Sequence, residues 1–555
     1  MGRKLAFVTY ETPFAPGGGI AAVMERFPAV MRRVGGLETI ILTPFHHRIR
    51  ETAKLETSPA GELRIGPDAR RVRIRLLTGR HGLPWYLLEA EDKEFFAGFP
   101  HPYRVAEDPE ENGRRLTRDS LLFGAAAAAA LDAIDPNADW VPLLQDWEAA
   151  TTALALRGPR RPFLTLHNSY DSGVSDADLR AVGIDPSRSK GATVLQRAIP
   201  LAASPVFTVS RQFALDLTED VLQTELMADH LQGLLRDRLV GVDNGPFAVL
   251  SVDEERLSAA RRGNHEPLAR WKLENRRKAL KALDAHHATG GRPVWGDRRR
   301  FDRDEAACWF VMAGRDDPRQ KGYDVAALAI EQFLGSSEDA ARFIFFPIPG
   351  DEGLEGLGFL QALAERFPER VLALPSVWRE GFLATLLGAS FGLMPSFYEP
   401  FGMANEFYLM GAVGVGRATG GIVEQIVPLQ GVPSFSPAAA RRARRWHPQG
   451  TPPTGLLFRE PDGLPSAAAD LRGINAASYS LSDPARGRAA ERRSYALYHA
   501  MAQATRAAIG DAARLWHSDP ALYYQMLVGG IEHIRHSFSW ERAAREYLQP
   551  ITGEP

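Results

Sequence analysis

The run Leu5-Ala-Phe-Val-Thr9 is rich in β-formers and breaks at Pro13, Pro16 and Gly17-Gly18-Gly19. Ile20-Ala-Ala-Val-Met-Glu-Arg-Phe-Pro-Ala-Val-Met31 follows, with apolar residues near helical spacing, and Thr39-Ile-Ile-Leu-Thr43 is a second β-rich run after Gly35-Gly36. Strand, glycine loop, helix and strand in that order make a parallel βαβ unit, which requires helices on both faces of its sheet. The glycine loop then lies at the carboxyl end of the first strand, where amides at a helix start can meet a phosphate or a sugar. A dinucleotide site fits poorly. It asks for G-x-G-x-x-G and an acidic residue closing the second strand; here the loop reads G-G-G-I-A-A and the strand ends in Thr43-Pro44.

Outward from this unit the pattern repeats. Residues 48–120 are less regular, with a hairpin over Leu63–Leu77 and a charged stretch from Glu107 to Arg118, and Leu121–Ile134 reads as a buried helix. Trp140-Val-Pro-Leu-Leu144 runs into Gln145-Asp146-Trp147-Glu148, and Pro162-Phe-Leu-Thr-Leu166 into His167-Asn168-Ser169. Apolar runs with polar stops place Asp146 and His167 at strand carboxyl ends, the side of a wound sheet where ligands bind. Val206–Ser210 is another such strand, and Asn244-Gly245-Pro246 is strong punctuation that closes a first domain.

A second alternating set begins at Cys308-Trp-Phe-Val-Met-Ala313 and ends in Gly314-Arg315, followed by Lys321-Gly322 and a helix from Asp324 to Phe333. Two cations between a buried strand and a helix suit a phosphate, since Arg forks onto it and Lys adds a mobile point charge. Strands at Phe343–Phe346, Val371–Leu374 and Phe391–Met394 follow, the last leading into Pro395-Ser-Phe-Tyr-Glu399-Pro400-Phe-Gly402, and a strand near Val413 leads to Thr419-Gly420-Gly421. A carboxylate and glycine amides at neighbouring strand ends can grip sugar hydroxyls and a diphosphate together. The basic runs Arg261-Arg262, Arg276-Arg277-Lys278 and Arg298-Arg299-Arg300 read as solvated faces, and the Asp-x-Asp triplets at 176–178 and 302–304 cap no apolar strand and are rejected as metal sites.

Composition excludes several classes. The 555 residues suggest two to four domains at roughly 150 residues each. Sixty-six Lys and Arg against 68 Asp and Glu leave a formal charge of −2, without the basic surplus of a nucleic-acid binder. A single cysteine, Cys308, excludes an internal disulfide framework and a thiolate zinc cluster. The longest apolar run, Leu121–Leu131, is far short of the roughly 20 residues that span a bilayer. The expected setting is the cytoplasm, away from membranes.

On these residues the chain resembles the retaining GT-B glycosyltransferases of the bacterial glycogen synthase and plant starch synthase family. The loop before Ile20 is similar to that family's lysine–x–Gly–Gly–Leu motif. Phe95–Tyr103, Asp146-Trp147, Thr165-Leu-His-Asn168, Thr208-Val-Ser210, Asn244-Gly245, Gly314-Arg315, Gln320-Lys321-Gly322, Pro395-Ser396, Glu399-Pro400-Phe-Gly402 and Thr419-Gly-Gly421 follow in family order. Phe538-Ser-Trp-Glu-Arg-Ala-Ala-Arg545 resembles the closing helix.

The resemblance implies an α/β fold of the GT-B type, two Rossmann-like doubly wound domains facing a deep cleft. Residues 1–246 would form the acceptor and catalytic domain, 247–537 the nucleotide-sugar domain, and 538–555 a helix packing back on the first. It implies transfer of glucose from ADP-glucose or UDP-glucose to the non-reducing end of an α-1,4-glucan with retention of configuration, without metal or cofactor. Arg315 and Lys321 would stabilise the departing diphosphate, and Glu399 would hold the glucose, aided by amides at Phe401, Gly402, Met403, Gly420 and Gly421, with Thr419 also among the substrate-binding residues. Asp146, His167 and Asn244 would line the glucosyl and acceptor side. Gly18 and Gly19 would approach by backbone, and Trp378 would stack on the nucleobase. The family has no settled protein nucleophile, and same-face attack assisted by the diphosphate is its usual proposal, so Glu399 is assigned to positioning.

Departures from the family pattern leave alternatives open. Pro16 stands where the family has lysine, Gln145 where a histidine is common before the aspartate, Glu148 in place of another histidine, and Phe401 in place of a frequent cysteine. The Arg315-to-Lys321 spacing is one residue longer than in typical bacterial members. A related transferase making a small glucoside, or a catalytically silent glucan-binding homologue, are the competing readings, and the joint retention of Arg315, Lys321, Glu399 and His167 argues against silence. Residues 430–500 are read only as a lobe insertion.

Overall fold

The computed structural model describes residues 3–78, 80–224, 228–288, 293–301, 306–337, 340–350, 352–376, 378–464, 466–477 and 487–553. The Asp302–Asp304 triplet lies outside them. The chain divides into two compact units, one of Met1–Gly245 with Ser539–Pro555 and one of Pro246–Phe538.

The first unit is built on a sheet of β1 (Arg3–Thr9), β2 (Thr39–Pro44), β3 (Ser58–Ile65), β4 (Arg70–Leu77), β5 (Trp85–Ala90), β6 (Asp139–Gln145), β7 (Phe163–Leu166), β8 (Val206–Thr208) and β9 (Leu239–Gly241). Their order across the sheet is β3-β4-β5-β2-β1-β6-β7-β8-β9. From β5 to β9 neighbours run parallel, while β3, β4 and β5 form an antiparallel edge. Leu5, Ala6, Phe7 and Val8 are buried because β1 has neighbours on both sides and helices on both faces. The chain winds one way from β1 to β2 and the other way to β6, so the switch point lies between the carboxyl ends of β1 and β6, where such folds bind ligands.

The helix read from Leu121 begins earlier. It spans Pro109–Ile134, because Asp108 caps it by accepting from the Glu111 amide at 2.8 Å and Pro109 occupies the first turn. The charged stretch before Leu121 is therefore its amino-terminal turns. The rejected triplet at 176–178 has a structural use: Asp178 completes a capping box with Ser175, and Asp176 pairs with Arg197.

The last helix, Trp540–Thr552, belongs to the first unit and packs on helix Gly19–Gly35. Tyr547 stacks on Phe207 at 4.1 Å and meets Phe27 edge-on at 5.0 Å. Gly245 allows the chain to pass beneath this helix, since a β-carbon there would lie 2.5 Å from the Trp540 amide nitrogen.

The second unit holds a parallel sheet of β10 (Cys308–Arg315), β11 (Ala341–Ile348), β12 (Val371–Ala373), β13 (Phe391–Met394), β14 (Val413–Arg417) and β15 (Leu456–Phe458), ordered β12-β11-β10-β13-β14-β15. Its switch point falls between β10 and β13. The region 430–500 contributes β15 and helices Pro437–Ala443 and Ala467–Ala476.

One of the basic runs departs from the solvated-face reading. Arg276 is 3% exposed and donates to Gly388 O, Ala307 O and Ser390 Oγ at 2.8–2.9 Å, with its guanidinium over the Trp309 ring. A fork of donors that meets three acceptors satisfies a buried cation that would otherwise be costly. No described helix is long and apolar enough to cross a membrane.

Candidate active site

At the second unit's switch point two strand-end loops converge. The loop after β10 carries Arg315, Gln320 and Lys321, and the loop after β13 carries Ser396 and Glu399. Phe397 N donates to Gln320 O at 2.8 Å and ties them together. Lys321 Nζ lies 2.9 and 2.7 Å from the two Glu399 carboxylate oxygens, Gln320 Nε2 donates at 3.2 Å, and Ser396 Oγ donates at 3.0 Å. Glu399 is 6% exposed yet surrounded by polar donors, so its charge is matched and oriented. Arg315 keeps 39% of its side chain exposed and pairs with Asp317 at 3.7 Å.

The Thr419-Gly420-Gly421 turn meets the backbone of Glu399 and differs from the sequence expectation. Thr419 N donates to Arg417 O at 2.8 Å and Gly421 N to Glu399 O at 3.2 Å. These two amides are taken by the protein's own carbonyls, which for Gly421 corrects the expectation that its amide meets a ligand. The glycines are needed for close approach. A β-carbon on Gly420 (φ +47°) would sit 1.6 Å from Glu399 O, and one on Gly421 2.3 Å from Phe401 O. Phe401 is buried, its carbonyl accepting from Gln425 Nε2 at 2.6 Å. Gly402 (φ +91°) and Met403 are half-buried and lead into helix Ala404–Leu409.

Two residues missed by sequence reasoning hold this loop. Arg417, at the end of β14, donates to Ser396 O and Phe397 O and forms a buried ion pair with Glu460. The guanidinium holds the Glu460 carboxyl down at about 2, against the opposing effect of burial. In sequence both look like ordinary charges beside a strand.

Trp378 is corrected. It is 7% exposed, stacks on Phe346 at 6.0 Å and presses on Gly381 so closely that a β-carbon there would lie 1.7 Å from the ring. An indole so enclosed is packing and leaves no face for a nucleobase.

In the first unit the ends of β1, β6 and β7 come together. Asp146 follows β6 with φ +62°, a left-handed conformation that is uncommon outside glycine and marks strain at functional sites. Its Oδ1 accepts from the amides of His167 at 2.6 Å and Asn168 at 3.3 Å, so the structure joins the two predicted residues. Burial, with a smaller contribution from the Glu11 charge, pushes the Asp146 carboxyl up to about 7. Burial holds the His167 imidazole down at about 3, neutral at ordinary pH. Its Nε2 lies 2.8 Å from Gln145 Oε1. Asn244 is buried, its amide bonded to Val209 O.

The glycine loop is also corrected. Gly18 N donates to Glu11 Oε1 at 2.5 Å, Ala21 N donates to the same oxygen at 3.0 Å, and Tyr103 Oη donates to Glu11 Oε2 at 2.9 Å. Glu11, 1% exposed, caps the helix that Gly18 opens, so that amide is taken and a negative charge occupies the place expected for a phosphate. Gly19 is exposed, with nothing within 4 Å of a β-carbon built on it. Sequence reasoning passed over Glu11 because it precedes the glycines by several residues and reaches them only through the turn.

Among the described residues no group of three or more His, Cys, Asp or Glu is placed to hold a metal ion. Two doubly wound α/β units, each with polar residues at the switch point of its sheet, have the fold of the GT-B glycosyltransferases. The model of the starch synthase catalytic domain matches residues 4–237. Glycogen synthase from Pseudomonas syringae pv. syringae (strain B728a) is 25% identical over 462 residues, covering 76% of this chain and 84% of the relative. That from Thermotoga petrophila is 25% identical over 483 residues, covering 83% and 88%. The catalytic domain of starch synthase IV from Arabidopsis thaliana, solved with ADP and acarbose, superposes with a TM-score of 0.63 at 16% identity over 100% of this chain and 99% of that one. An α,α-trehalose-phosphate synthase (UDP-forming) from Burkholderia vietnamiensis gives 0.52 at 12%, covering 99% and 100%. At those identities the structures speak for the fold alone. The chain is thus similar to the glycogen synthases and starch synthases, with the catalytic-domain match lying over residues 4–237.

Proposed function

We propose that the protein transfers glucose from a nucleoside-diphosphate glucose, ADP-glucose or UDP-glucose, to the non-reducing end of an α-1,4-glucan with retention of configuration. The observation that carries this reading is the contact of Lys321 with both oxygens of Glu399, at 2.7 and 2.9 Å, at the second unit's switch point. Breaking a glycosyl–phosphate bond leaves negative charge on the diphosphate and positive charge on the sugar ring. A cation held in place before reaction favours that state over the substrate, an effect worth several kcal/mol.

Lys321 has three donors and uses two on Glu399, so one is available to a phosphate oxygen. Arg315 supplies a second, partly exposed cation on the same loop. Glu399, already bonded by Lys321, Gln320 and Ser396, is suited to accept from sugar hydroxyls and hold the glucose rather than attack it. Asp146, His167 and Asn244 belong to the glucosyl and acceptor side, with no resident metal or cofactor in the scheme and neither nucleic acid nor membrane as partner.

The test is purified protein with glycogen primer and radiolabelled ADP-glucose or UDP-glucose in turn. Label entering polymer is the expected outcome, and the preferred donor follows from it. Label only in small soluble products, or none with either donor, overturns the reading.

A further inference from the structure

We propose that Gln145 is a positioning residue that fixes the His167 imidazole as its Nε2–H tautomer and so offers Nδ1 as a bare lone pair to a sugar hydroxyl; the sugar part of this rests on the glucosyltransferase reading.

Gln145 closes β6 and is 2% exposed. Its Nε2 donates to Leu143 O at 3.2 Å, and a backbone carbonyl can only accept, so the amide oxygen must be the atom turned toward His167. That oxygen can only accept in turn, and the ring nitrogen 2.8 Å away must carry the proton. A neutral imidazole has one N–H, so its Nδ1 is left as an acceptor. Among the described residues nothing hydrogen-bonds to Nδ1.

The next residue holds the same turn by its backbone, Asp146 accepting from the amides of His167 and Asn168. Parallel pairing of β6 with β7, Gln145 opposite Thr165, brings the two strand ends level. Ring and backbone are thus held by consecutive residues of one strand end. A histidine at position 145, common in the family, can donate or accept and would leave the tautomer open; glutamine anchored on Leu143 O does not. The titratable groups on the surrounding elements are Glu11 after β1, Tyr103, Asp146 and Glu148 after β6, and Asp171 after β7.

The test is ¹⁵N NMR of the full chain, with His167 assigned by comparison with His167→Asn, alongside steady-state kinetics. Wild type is expected to show one tautomer, protonated at Nε2, between about pH 6 and 8. Gln145→Leu should lose that signature and lower kcat by about tenfold or more, with the glucan KM moving less than about threefold. Gln145→Glu keeps the shape and puts a negative acceptor on the ring; it should raise the imidazole pKa and add an inflection to the kcat/KM pH profile. An Nδ1–H tautomer in wild type, a native signature in Gln145→Leu, or an unchanged profile in Gln145→Glu overturns the proposal. A wild type that holds the tautomer but transfers no glucose overturns the glucosyltransferase reading alone.

Discussion

In the first unit Asp146 and Asp119 accept from backbone amides, and burial pushes both carboxyls up to about 7. In the second unit Glu399 lies against Lys321, and Glu460 against Arg417, which holds the Glu460 carboxyl at about 2. The first two acids are kept by limiting their charge, the second two by matching it. The difference follows from chemistry. In the proposed function the loop at Lys321 faces a developing diphosphate and gains from a cation already in place and held by its own counter-charge, whereas Asp146 and Asp119 accept from backbone amides.

The strongest way to break this contrast is to remove the matched pair. Lys321→Ala and Glu399→Ala should each lower glucosyl transfer by about 10²–10³-fold while circular dichroism stays native. The double variant should lose no more than the worse single one, because the two act as a unit. Near-native rates in either single variant would overturn the site assignment.

Glu460→Gln tests the matched charge through stability. A depressed carboxyl contributes stability above its unfolded pKa and loses it as pH falls through the folded one. Denaturant unfolding should find the variant weaker than wild type at pH 7 by on the order of 3 kcal/mol. That gap should close as pH falls from about 4.5 toward about 2, where the wild-type carboxyl is protonated too.

Asp119→Asn sharpens the other side of the comparison, with the opposite sign and a cost spread over pH. Asp119 Oδ2 accepts from the Phe96 amide at 2.9 Å while Oδ1 is buried without a partner. A raised carboxyl binds its proton more tightly when folded, so wild-type stability falls as pH rises from about 4 to about 8. Asparagine keeps the accepting oxygen and carries no charge. Relative to wild type, the variant should gain stability across that interval by up to on the order of 4 kcal/mol, read from unfolding curves at each end. An unchanged difference would show that this acid is not held neutral by burial.

Much of the architecture was legible because apolar runs with polar stops have a local signature. Leu5–Val8, Val141–Leu144 and Phe310–Met312 all lie in buried strands, and Asp146, His167, Arg315 and Glu399 all fall at or just after strand ends. What escaped is non-local. Glu11 finds Gly18 only when the turn closes, Arg417 finds Glu460 across 43 residues, and Arg276 looked like a solvated charge until Gly388, Ala307 and Ser390 gathered round it. Trp378 failed as a nucleobase platform for the same reason: whether an aromatic ring is free depends on neighbours such as Phe346 that sequence spacing does not place.

The order of strands, glycine turns and polar stops was set by the amino-acid sequence alone, since backbone propensity and the alternation of apolar with polar residues act over a few positions. Which carboxylates stay charged and which amides are already taken were decided by the tertiary structure. Burial, opposite charge and hydrogen-bond partners are properties of neighbours in space, and only the folded chain supplies them.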